Sequence, residues 1–100
     1  MTVRSFPVAA GVELHAEAWP GDRRPWFLLV HGLASNLGLW RGVARQLASS
    51  GFAVVAVDLR GHGRSSKPDD GYDIATVATD LEAVIDAVGA GPAVVAGQSW

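Results

Sequence analysis

The residues best placed to do chemistry stand at the end of the chain. Gly97-Gln98-Ser99-Trp100 follows directly on the apolar run Ala93 to Ala96. A serine two positions after a glycine, at the end of a buried strand, fits the front of a G-x-S-x-G nucleophile elbow, although Gly-x-Ser at a strand end is also common in ordinary turns. Small residues are needed there because side chains two positions away would collide with a serine held on a strained strand-to-helix turn. That strain keeps the hydroxyl clear of the backbone, where a substrate carbonyl can reach it. A second candidate is His31-Gly32-Leu33-Ala34-Ser35-Asn36, after another apolar run. A glycine following a strand lets the chain turn sharply and aim the next N–H at a developing oxyanion. The donors expected from the sequence are the backbone N–H groups of Leu33 and Trp100.

The third candidate is Asp58-Leu59-Arg60-Gly61-His62-Gly63-Arg64-Ser65-Ser66-Lys67-Pro68. Gly61-x-Gly63 invites a dinucleotide-binding reading. Ser66 stands where the third glycine belongs, and Pro68-Asp69-Asp70-Gly71 follows where a helix should begin, which argues against a phosphate cradle. A rigid turn is expected instead, with Asp58 satisfying backbone donors. Asp58, Asp69, Asp70 and Asp73 lack the regular spacing of a hard-cation loop, and turn and cap roles account for them without a metal.

These groups need elements to position them. Val12 to Trp19 alternates apolar with polar residues (Glu13, His15, Glu17), the period of a half-buried strand near a sheet edge. A strand near Val3 to Val8 can pair with it through Ala10-Gly11. Trp26–Val30, Phe52–Val57 and Ala93–Ala96 are continuous apolar runs that suit parallel strands covered on both faces. Trp40, Val43, Ala44, Leu47 and Ala48 recur at helical steps, with Gly51 as a stop. Ile74, Val77, Ala78, Leu81, Val84, Ile85 and Val88 do the same between Asp73 as N-cap and Gly89 as terminator. Strands alternating with helices predict an α/β fold: a mostly parallel sheet with an N-terminal antiparallel hairpin and flanking helices. All parallel strands end on one edge of such a sheet, so the three candidate segments should meet there.

Composition narrows the function classes. With 100 residues, 49% apolar and 18% charged, the chain suits one domain with a modest core. Seven arginines and one lysine are scattered against ten acids, and the net charge of -2 argues against nucleic acid as a partner. Zero cysteines exclude disulfides and a thiol nucleophile and fit a reducing cytoplasm. No signal-peptide pattern is visible, and no apolar run approaches the roughly 20 residues that span a bilayer, so no membrane is expected.

The three segments together, in this order and at these strand ends, resemble the α/β-hydrolase fold superfamily of the serine hydrolase type. The matching residues are His31-Gly32 with Trp40 downstream, Asp58 to Ser65 with Lys67-Pro68, and Gly97 to Trp100. The resemblance implies that Ser99 is the nucleophile, that Leu33 and Trp100 supply oxyanion-hole amides, and that His31, Gly32 and Gly97 are supporting residues. It implies acyl-type hydrolysis of a small ester-like or lactone substrate, without cofactor or metal. A serine here argues against the related epoxide hydrolases and haloalkane dehalogenases, which carry Asp at this position.

In the family the order is Ser, then acid, then His. All three histidines, His15, His31 and His62, precede Ser99, so the base and acid are expected outside these residues. His31 and His62 are expected to organise loops, and His15 to be a solvated surface residue. The chain is thus expected to be the N-terminal part of one α/β-hydrolase domain, inactive alone, with an apolar edge at its last strand. The competing class is a non-catalytic fragment or decayed relative that binds ligands or partners through the same crevice. Substrate, lid and oligomeric state are left open.

Overall fold

A computed structural model describes residues 1–98. Strand β1 (Thr2–Ala9) turns through Ala10-Gly11 into β2 (Val12–Trp19), with Gly11 at φ +71°. Then follow β3 (Arg23–Val30), a short 3-10 helix (Leu37–Trp40), helix α1 (Arg41–Ser49), β4 (Phe52–Val57), α2 (Ile74–Val88) and β5 (Ala93–Gly97). The sheet order is β1-β2-β4-β3-β5. The hairpin pairs antiparallel and joins β4 antiparallel, while β4, β3 and β5 run parallel. This is the α/β sheet expected from the alternation of patterns.

Alternation along the parallel strands divides the core in two. Trp26, Leu28, Val30, Val55 and Val57 face α2 together with Phe6 and Leu14 of the hairpin. Leu29, Val54 and Ala56 face α1 with Trp19, Leu37 and Ala44. Strands buried on both faces must be apolar throughout, which is why these runs lack polar interruptions. Helix α2 starts where Asp73 accepts hydrogen bonds from the Thr76 N–H (3.0 Å) and hydroxyl (2.8 Å). It stops at Gly89, whose φ of +63° is the left-handed cap that glycine adopts without steric cost.

Several local expectations change. Glu17, placed by alternation on the solvated face, is 5% exposed. That face of β2 lies under α1, and Arg41 reaches down from the helix to pair with its carboxylate. Ile74, in phase with the apolar stripe of α2, is 76% exposed, because it lies in the first turn beside an open apolar groove with Val30, Val77, Ala78 and Leu81. Strand β3 begins three residues earlier than its apolar run, since Arg23 pairs with Phe52 ahead of an irregularity in the ladder. Val94 and Val95 of β5 are 41% and 52% exposed, the uncovered strand expected at this end of the sheet.

Candidate functional site

Register brings the candidate residues together. Val30 of β3 lies level with Val57 of β4 and with Gly97 of β5. The next residues, His31, Asp58 and Gln98, therefore leave the sheet as one row along its C-terminal edge. Ser99 and Trp100, the expected nucleophile and second amide donor, lie outside the described residues.

Each member of the row is fixed by hydrogen bonds. His31 is fully buried; its Nδ1 lies 2.7 Å from the Gly32 carbonyl and its Nε2 accepts the Leu59 N–H at 3.0 Å. An Nε2 that accepts from an amide cannot carry a proton, so the ring is neutral with its hydrogen on Nδ1. Burial holds the imidazole below its ordinary value, while the Gly32 carbonyl pulls in the opposite direction. His31 thus joins the loop after β3 to the loop after β4, the organising role expected of it.

Asp58 is 3% exposed. Its Oδ1 accepts the Leu37 N–H at 2.8 Å and its Oδ2 the Arg64 N–H at 3.1 Å. One carboxyl group therefore anchors both the 3-10 helix and the Gly61–Gly63 loop, as the rigid-turn reading anticipated. Gly63, at φ +52°, lies so close that a Cβ there would overlap the carboxyl group of Asp58. Ser65 donates to the Asp58 carbonyl and accepts the His15 N–H, and Ser66 accepts the Glu13 N–H at 2.9 Å. These bonds close the part of β2 that extends past the end of β4. Arg60 runs the other way, forming a bidentate pair with Asp80 of α2 at 2.6 and 2.8 Å, both side chains buried.

The turn after β3 is held at several points. Gln98, through its own N–H, bonds the Val30 carbonyl at 3.0 Å. Its Oε1 accepts the Gly32 N–H at 3.2 Å. His62 accepts the Ala34 N–H on Nε2 at 3.0 Å, with Nδ1 3.0 Å from the Arg60 carbonyl. The His31 and His62 rings lie 4.9 Å apart, centroid to centroid. Ala34 itself has φ +61°, a left-handed conformation that costs an alanine about 1 kcal/mol. Leu33 is 64% exposed at the tip, and its N–H has no acceptor among the described residues. Among the described residues, a Cβ on Gly97 would meet only the Val30 carbonyl, at 3.9 Å, an ordinary contact.

Sequence reasoning did not find Gln98, or the bond from His62 to the turn. The available signal was positional, since Gln98 sits in register with His31 and Asp58 at the same sheet edge. His15 lines a cleft of about 260 Å³ with Glu17, Asn36, Arg41 and Arg64, and Asp58 lines it too, so this cleft borders the row. Among the described residues no three His, Cys, Asp or Glu side chains converge as a metal site, and no helix is long and apolar enough to cross a membrane.

The chain is 37% identical over 94 residues to epoxide hydrolase B of Mycobacterium tuberculosis, which covers 90% of this chain and 26% of that protein. Its fold matches epoxide hydrolase A from Mycobacterium thermoresistibile with a TM-score of 0.88 and 33% identity, covering 99% of this chain and 31% of the other. It also matches the thioesterase domain from the curacin biosynthetic pathway, with a TM-score of 0.84 and 30% identity over 99% of this chain and 38% of that one. The chain therefore spans about a quarter to somewhat over a third of these proteins. Residues 25–100 match the α/β hydrolase fold family, from Pro25 in β3 through the row at the strand ends, and the chain belongs to that family.

Proposed function

We propose that the protein carrying this chain is a serine hydrolase that cleaves ester, lactone or related acyl substrates through an acyl-enzyme on Ser99, using the Leu33 and Trp100 amides as oxyanion donors. The carrying observation is the tie between β5 and the turn after β3. Gln98 bonds both the Val30 carbonyl and the Gly32 N–H, and the residue that follows it in sequence is the serine. A serine hydroxyl together with an amide N–H that has no acceptor among the described residues would supply the components of acyl transfer, namely a nucleophile and a donor for the charge that develops on the carbonyl oxygen.

Relatives named epoxide hydrolases favour a second reading, opening of an epoxide ring. Bond chemistry weighs against it at Ser99. Attack by a carboxylate on an epoxide carbon leaves an ester, which water can cleave. Attack by a serine oxygen leaves an alkyl ether, which water does not cleave at neutral pH, so turnover would stop after one event. An acyl group on serine is an ester and hydrolyses, returning the hydroxyl.

The base must come from elsewhere in the protein. His31 and His62 each use both ring nitrogens in loop bonds, and His15 stands on β2, which β4 and β3 separate from β5 in the sheet. Residues 1–100 alone are accordingly expected to show negligible triad catalysis. The test uses the full-length protein with p-nitrophenyl butyrate, styrene oxide and a fluorophosphonate probe. Ester hydrolysis and probe labelling that both vanish in Ser99→Ala support the acyl-enzyme. Sustained diol formation from styrene oxide, with no labelling, would establish the second reading instead.

A further inference from the structure

Four consecutive amides make up the turn after β3, and three of them are committed. The Gly32 N–H goes to the Gln98 side chain at 3.2 Å, the Ala34 N–H to His62 Nε2 at 3.0 Å, and the Ser35 N–H to the Gly32 carbonyl at 3.2 Å. Only the Leu33 N–H, between the first two, has no acceptor among the described residues. The pins come from different strands, Gln98 from the end of β5 and His62 from the loop after β4. Both are themselves anchored, Gln98 through its N–H on Val30 and His62 through Nδ1 on Arg60.

We infer that His62 and Gln98 are positioning residues that clamp the turn on either side of Leu33 and so aim its N–H at the reacting carbonyl. This rests on the acyl-transfer reading above. The physical case is that an oxyanion donor works only if its direction is set before charge develops. An unsupported four-residue turn would not hold that direction. Ala34 shows the need for support, since its backbone lies in a region that alanine avoids unless surrounding bonds hold it there. His62 supplies such a bond at the strained residue itself. Because the Gln98 oxygen occupies the Gly32 N–H, the oxyanion must turn to Leu33 rather than share two adjacent amides of one turn.

Paired substitutions in the full-length protein separate aim from packing. His62→Phe keeps a ring against His31 and removes the acceptor, whereas His62→Gln restores an oxygen near the position of Nε2. Gln98→Met keeps length and removes the acceptor, whereas Gln98→Glu restores it. With p-nitrophenyl butyrate, His62→Phe and Gln98→Met are expected to lower kcat by roughly tenfold or more, the scale of a donor displaced by a fraction of an ångström to 1 Å, with KM changed less than about twofold. The Gln and Glu partners should recover most of that loss. Amide hydrogen exchange should accelerate at Ala34 in His62→Phe and at Gly32 in Gln98→Met, with melting temperatures recorded alongside. Equal loss in both members of each pair, or unchanged exchange at these amides in a folded variant, would overturn the clamp. If Ser99→Ala retains full ester hydrolysis, the acyl-enzyme reading and the oxyanion role fall together, and exchange at Gly32 and Ala34 then decides whether the two pins hold the turn.

Discussion

Asp58 holds two backbone N–H groups from segments that no strand pairing connects. Replacing it with Ala leaves both without their acceptor, at about 1–3 kcal/mol for the buried Leu37 N–H and less for the part-buried Arg64 N–H, which water can reach. Urea denaturation of Asp58→Ala should show that loss, and a midpoint within error of the parent would remove Asp58 from the anchoring role. Two other residues contribute to the response to acid. His31 is held below its ordinary value of 6.5, first by burial, so the unfolded chain takes up this proton more readily. Its contribution to stability is complete above pH 6.5 and declines as pH falls toward the depressed folded value. Glu17 is held below its ordinary 4.5, first by its hydrogen bond with Arg41. Its contribution is complete above pH 4.5 and is lost as pH falls through the folded value. Denaturation midpoints at pH 7.5, 5.5 and 3.5 should therefore fall in two stages. His31→Gln should flatten the upper stage and Glu17→Gln the lower, and a single stage insensitive to both substitutions would contradict the assignment. Of these residues, Asp58 was legible from its place at a strand end, whereas Glu17 was not. Alternation says which face a side chain takes, but not whether a helix will lie over that face.

At the scale of elements, the long loop between β4 and α2 is held to the fold by the buried Arg60–Asp80 pair and by the close fit of its glycines. Losing one member of such a pair strands the other charge, so Asp80→Ala should cost about 3–5 kcal/mol. The double variant Arg60→Met with Asp80→Leu should recover most of that. A double variant no more stable than Asp80→Ala would mean that the pair is not what anchors the loop. Gly63→Ala combines a left-handed backbone with overlap on Asp58 and should destabilise more than the about 1 kcal/mol of the backbone effect alone. Thermal melts of this variant beside Gly42→Ala, where a Cβ meets open space, test the difference. The elements themselves were readable wherever punctuation bounded a periodic pattern: Asp73 and Gly89 mark α2 to the residue. Periodicity could not show that Ile74 overhangs the sheet, because that depends on where the helix axis sits above the strands. The start of β3 was hidden for a related reason, since Arg23 joins the ladder opposite Phe52 through backbone pairing that side-chain pattern does not report.

For the molecule as a whole, the uneven cover of the sheet matters most. The central strands β4 and β3 are enclosed, but β5 is an end strand of the described sheet, with Val94 and Val95 exposed and no charge between Ala93 and Gly97. Expressed as residues 1–100 alone, the chain should self-associate through this edge. Val95→Lys should raise the monomeric fraction in sedimentation, and an unchanged distribution would place the association elsewhere. That the parallel strands share one edge was legible from the order of patterns. That His31, Asp58 and Gln98 stand level there was not, because strand register is decided by pairing between distant segments.

Strand order also constrains how the chain assembles during synthesis. β2 and β3 are consecutive in sequence, yet β4 lies between them in the sheet. Until Phe52–Val57 has left the ribosome, the hairpin and β3 have no common neighbour and cannot form one sheet. The nascent chain should therefore pass from two separately protected segments to a single joined one when β4 emerges, in a step set by translation rather than by the stability of either part. Proteolysis of ribosome-bound chains stalled before and after β4 emerges should show cleavage between Trp19 and Arg23 giving way to protection across that link.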